Sequence, residues 1–121
     1  MTSQPSTRSH IETTELLVRL YVFLNQYLDR CINEAAHQSY PEAELKKHLE
    51  ETRARLSGIL AINSVVKNKV EQECDRIMAL GASCLKGGGK TTDVELLKAE
   101  QAMLRNKTIA LSDLLAVFRA V

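Results

Sequence analysis

The stretch GILAINS, residues 58–64, decides how many helices this chain forms. It sits inside a run from Pro41 to Leu85 that contains no further proline and no turn cluster. Alternate steps of four and three through that run pass Leu45, Leu49, Thr52, Leu56, Ile59, Asn63, Val66, Val70, Glu73, Ile77, Leu80 and Cys84. All are apolar except Thr52, Asn63 and Glu73, and a sustained four-three repeat is the pattern of a coiled-coil seam. The repeat passes Gly58 without changing phase, so the spacing favours one continuous helix, about 66 Å long at about 1.5 Å per residue. Gly58 and the pair Asn63-Ser64 are its weak points. Asn63 has two readings: a polar seam residue that fixes register across an interface, or a cap at a helix break.

Outward from this run, the N-terminal segment reads as helical. Ser9 precedes Glu12 by three, as in a capping box. Apolar residues then recur at Leu17, Leu20, Leu24, Tyr27 or Leu28, Cys31 and Ala35, with Val18, Tyr21, Val22 and Phe23 widening the stripe. HQSYPE, residues 37–42, breaks the pattern: Pro41 suits a first helical turn, and Ser39 with Glu42 repeats the box. The loop is short, so the next helix should fold back antiparallel. A third box, Thr92 with Glu95, opens the last helix. There doublets recur at steps of seven: Leu96-Leu97, Met103-Leu104, Ala110-Leu111 and Val117-Phe118, with Leu114 and Leu115 filling in.

The expected fold is therefore all-α: antiparallel helical hairpins, or a coiled coil, of three long helices at about 10–38, 41–85 and 93–120. Residues 1–8 form a polar tail, residues 9–121 one helical domain, and residues 86–91 a glycine-rich hinge. The alternative is a four-helix up-down bundle with a break near 58–64.

LKGGGKTTD, residues 85–93, invites a phosphate-loop reading. A phosphate loop requires its first glycine five positions before Gly89, where this chain has Cys84, and it must follow a buried strand. The preceding ECDRIMALGASCLK has helical spacing instead. Gly87, Gly88 and Gly89 read as a chain reversal, with Lys86 and Lys90 near the negative end of the preceding helix.

Composition narrows the function classes. The chain has 121 residues, 45% hydrophobic and 26% charged, with a formal net charge of +1 and charges of both signs interspersed. That balance argues against a nucleic-acid footprint, which requires clustered cations. Aromatics make up only 4%, which disfavours a small-molecule pocket. The most apolar run, LLVRLYVFL at 16–24, contains Arg19 and is too short for a membrane span, so no membrane insertion is expected. Cys31, Cys74 and Cys84 are widely separated and lack a metal-ligand spacing, which suggests reduced thiols in a cytoplasmic or nuclear protein. Glu44 and His48 stand four apart with no third ligand nearby in sequence. No catalytic, metal or cofactor site is expected.

Two-helix hairpins of unequal length would leave apolar surface uncovered, and another chain would supply the missing layer. The expected function is a non-catalytic coiled-coil subunit or adaptor that assembles with other helical proteins. A hetero-oligomer is favoured, because Glu73 on a seam is awkward against its own copy. The expected contact residues are Leu45, Leu49, Leu56, Ile59, Asn63, Val66, Val70, Ile77 and Leu80, with Leu97, Leu104, Leu111, Leu114 and Phe118 on the last helix. The alternative is a small helical-bundle chaperone or regulator that holds a client helix in an apolar groove.

Overall fold

In the computed structural model, residues 7–35, 42–87 and 89–120 are described. They form α1 (Thr7–Ala35), α2 (Glu42–Leu60), α3 (Ser64–Lys86) and α4 (Thr91–Ala120), and no strand occurs among them. The Ser39–Glu42 box, Pro41, the end of the first helix at 36–38 and most of the polar tail lie outside the described residues.

The expected single helix at 41–85 is two helices. Ala61 and Ile62 form a turn, and Asn63 adopts an extended backbone, φ −147° and ψ 109°. Its side-chain oxygen accepts hydrogen bonds from the backbone N–H of Val65 (2.9 Å) and Val66 (3.1 Å). An asparagine in this position satisfies two of the four N–H groups that a helix start leaves unpaired. Burial drives the reversal: Leu56 and Leu60 before the break and Val66 and Val70 after it all enter one core. A straight helix would carry one of those two sets away from it.

The helix directions alternate along the chain. Arg119 of α4 reaches Glu15 of α1 (2.7 Å), and Gln101 reaches Asn25 (3.1 Å), so α1 and α4 run antiparallel. Arg76 pairs with Glu100 and Glu73 with Lys107, which makes α3 and α4 antiparallel too. Helix α1 is the hub. It packs against α3 and α4 along most of its length and against α2 more lightly, while α2 does not reach α4 among the described residues. Leu20, Leu24, Leu28 and Cys31 of α1 are fully buried, together with Ile77 and Cys84 of α3. Three packed helices thus close a core within one chain, and the expected shortage of a third layer does not arise.

Two helix starts differ from the expected boxes. Helix α1 is described from Thr7, so Ser9 already lies within the helix, and Glu12 pairs with Arg8. Helix α4 begins at Thr91, two residues before the expected start at 93, with the Val94 N–H donating to the Lys90 carbonyl at 3.0 Å. Glu15 of α1 forms a long-range pair with Arg119 of α4.

The glycine hinge is a helix stop. Gly87 N–H donates to Ser83 O (2.9 Å) and Gly89 N–H to Cys84 O (3.1 Å), which satisfies the last carbonyls of α3. Gly89 has φ +74°, and a Cβ there would stand 2.9 Å from the Ala35 carbonyl oxygen. Gly89 therefore packs closely on Ala35 of α1.

Candidate functional site

Most of the expected contact residues face inward. Leu45, Leu56, Val66, Val70 and Ile77 are buried, as are Leu97 and Leu104 on α4. Leu49, Ile59, Leu80 and Leu111 are half-buried and pack on the same core. Asn63 is the α3 cap. Phe118 is half-buried with its ring 6.0 Å from that of His10. Leu114 alone among the fourteen is an exposed hydrophobic.

Exposed apolar side chains remain at Val22, Ile62, Val65 and Ile109, and in a row on the outer side of α4. Leu96 is 54% exposed, Met103 51% and Val117 60%. At about 100° per residue these three, with Ala110 and Leu114, fall within a sector of about 60°. Each is a partner in, or neighbour of, the sequence doublets. Leu97 and Leu104 point into the core, and their neighbours Leu96 and Met103 point away.

Ion pairs fix this ridge relative to α3. Arg76 donates twice to the Glu100 carboxylate (2.6 and 3.2 Å), a forked arrangement that sets orientation. Lys107 Nζ donates to Glu73 at 2.6 Å and lies 5.5 Å over the Tyr21 ring. The hydrogen bond to Glu73 raises the Lys107 pKa, and that to Glu100 raises the Arg76 pKa. The cation of each pair is about half-exposed, so solvent screens both and they align the helices more than they stabilise them. The alignment leaves the ridge alongside the α3–α4 seam. Glu73, expected to meet an unlike partner, is matched within its own chain.

Two of the clefts beside α1 bear on function. The first, about 300 Å³, lies between α1 and α4, and its walls include Val22, Asn25 and Asp29 against Arg105 and Ile109. Val22 and Ile109 are exposed hydrophobics. The second, between α1 and α2, brings Tyr27 and Arg30 beside His48, Thr52 and Arg55. Sequence spacing gave no sign of it, because its residues come from two helices and meet only through the way those helices face each other.

The thiols are inert as placed. Cys31, Cys74 and Cys84 are buried and free. Burial, and then the Cys84 and Glu34 charges against an opposing Tyr27 hydrogen bond, pushes Cys31 up to about 12. Burial and the carboxylate of Glu73 push Cys74 to about 12 as well. A thiol that stays protonated is neither a nucleophile nor a ready metal ligand. Among the described residues no group of three or more His, Cys, Asp or Glu side chains could hold a metal ion. No helix among them is long and apolar enough to cross a membrane.

No family model, curated protein or solved structure matches the chain.

Proposed function

We propose that this protein is a non-catalytic helical subunit, or adaptor, that assembles with other helical proteins through the outer face of α4. One observation carries the reading: the ridge of Leu96, Met103, Leu114 and Val117, exposed on a helix whose core-facing side is already satisfied. Soluble proteins seldom leave such a row uncovered, and rows of this kind mark interaction surfaces. The near seven-residue steps suit a second helix, whose side chains would seat between them. The buried, protonated thiols are compatible with a reducing intracellular compartment.

Replacing Met103 by Glu tests the reading. Met103 is half-exposed, so the variant should fold as well as the parent in a urea titration and lose its partner in a co-purification. Retention of the partner by the folded variant would sink it.

A second reading is favoured by the break at Asn63, which makes the molecule a self-contained bundle. A regulator of this shape would hold a client segment in the α1–α4 cleft, between Val22 and Ile109. An Ile109→Glu variant separates the two, since it alters the cleft and leaves the ridge intact.

A further inference from the structure

The cleft between α1 and α2 has the chemistry of an anion site. Its volume is about 200 Å³, and no carboxylate is among the side chains that line it. Two guanidinium groups do, Arg30 from α1 and Arg55 from α2. Arg55 lies 5.6 Å over the Phe23 ring and forms no ion pair among the described residues. Stacking on the ring orients the guanidinium and leaves its N–H donors directed outward from the stack. Arg30 is partly engaged, with Nε 3.0 Å from Glu34 Oε1.

His48 closes the cleft. It is 7% exposed, and its Nε2 has no hydrogen-bond partner among the described residues. The ring stacks on Tyr27 at 6.5 Å, and the His48 carbonyl accepts from Thr52 Oγ1 at 2.8 Å, so ring and backbone are both held. A buried polar atom without a partner is costly. Such a group in a native structure calls for an explanation. The groups that face His48 are Tyr27, Arg30 and Glu34 from α1 and Glu51 and Arg55 from α2.

We propose that this cleft binds a small oxyanion, a phosphate or a carboxylate, held by the guanidinium of Arg55 and the Nε2–H of His48, with Arg30 as a second positive charge. The imidazole donates from Nε2 when it is charged and in one of its neutral tautomers. Phe23 and Tyr27 supply walls for a short organic remainder. The site is on the far side of α1 from the α4 ridge and stands independently of the assembly reading. Glu34 is the internal competitor, because its Oε2 is also buried without a partner among the described residues.

The test is imidazole-nitrogen NMR of His48 in the full chain, assigned with a His48→Gln variant. Inorganic phosphate and acetate are titrated separately against chloride at matched ionic strength. The expected result is a saturable upward shift of the His48 titration midpoint, since a bound anion favours the charged ring. The shift should vanish in Arg55→Met and persist in Lys47→Met, whose side chain is exposed elsewhere on α2. A response to phosphate alone assigns a phosphate site, and a response to both anions assigns a general oxyanion site. No response beyond chloride overturns the proposal, as does a response unchanged in a folded Arg55→Met. If His48 moves only on Glu34→Gln and with neither anion, the two atoms pair with each other and the proposal fails.

Discussion

The ring of Tyr27 lies directly on the backbone of Gly81: a Cβ at that glycine would stand 2.6 Å from the ring. The Tyr27 hydroxyl donates to the Met78 carbonyl at 2.8 Å, which ties α1 to α3 at the same point. The ring is buried, with Cys31 nearby, and cannot swing aside without breaking that bond. Glycine within a helix ordinarily costs stability, and Gly→Ala ordinarily restores about 0.5–1 kcal/mol. Here the sign should reverse. Gly81→Ala is expected to lose about 1–3 kcal/mol through overpacking, measured as a fall in the urea midpoint. In a Tyr27→Ala background the same change should become neutral or stabilising. An additive double-mutant cycle would show that the contact does not matter.

Asn63 caps α3, so Asn63→Ala should cost about 1 kcal/mol. Asn63→Asp should retain most of the stability, because its carboxylate also accepts from Val65 and Val66 N–H. A continuous helix through this point predicts the opposite, since alanine is the better helix former. Chemical denaturation of the two variants therefore decides between a broken and an unbroken segment.

The sequence carried the helical character plainly and the topology only in part. The doublets of α4 announce a helix with two apolar rows, yet Leu96 and Leu97 look equivalent until α1 and α3 are in place. The four-three repeat through Gly58 is real, because Leu56, Val66 and Val70 all become core. It does not require a straight helix, since a reversal at Asn63 keeps each of them inside. Glu73 reads as an unsatisfied seam charge only while Lys107, thirty-four positions away, is out of view. The importance of Gly81 depends entirely on Tyr27 from another helix, and the cleft around His48 depends on which helices pair. Those relationships are long-range, and periodicity is blind to them.

His48 should make folding pH-dependent. Burial, followed by the positive charge of Arg30, lowers its pKa from the ordinary 6.5, with Glu34 and Glu51 opposing. Below about 6.5 the unfolded chain takes up a proton on this ring that the folded chain still refuses, so the unfolded state gains. Stability is thus full above that pH and falls as the pH drops through the folded value. His48→Gln should flatten this part of the profile, read as urea midpoints between pH 7.5 and 5 (about the range over which histidine titrates). An unchanged slope would remove His48 as its source.

The hinge should tolerate loss of its lysine and resist loss of its last glycine. Lys90→Ala leaves the backbone bonds in place and should change stability by less than about 0.5 kcal/mol. Gly89→Ala puts a side chain at φ +74° and against the Ala35 carbonyl, which should cost at least about 1 kcal/mol. Thermal unfolding of both variants checks this. Loss of function in a fully folded Lys90→Ala would revive a phosphate-loop role.

The central claim is that the outer face of α4 is covered by another helical protein. Its most direct test is native affinity purification of the intact chain, with bound proteins identified and their stoichiometry measured by mass spectrometry, beside a folded Met103→Glu variant. The account predicts a fixed set of helical partners near one-to-one with the parent, absent from the variant. Recovery of the chain alone, or of the same partners by both forms, would contradict it.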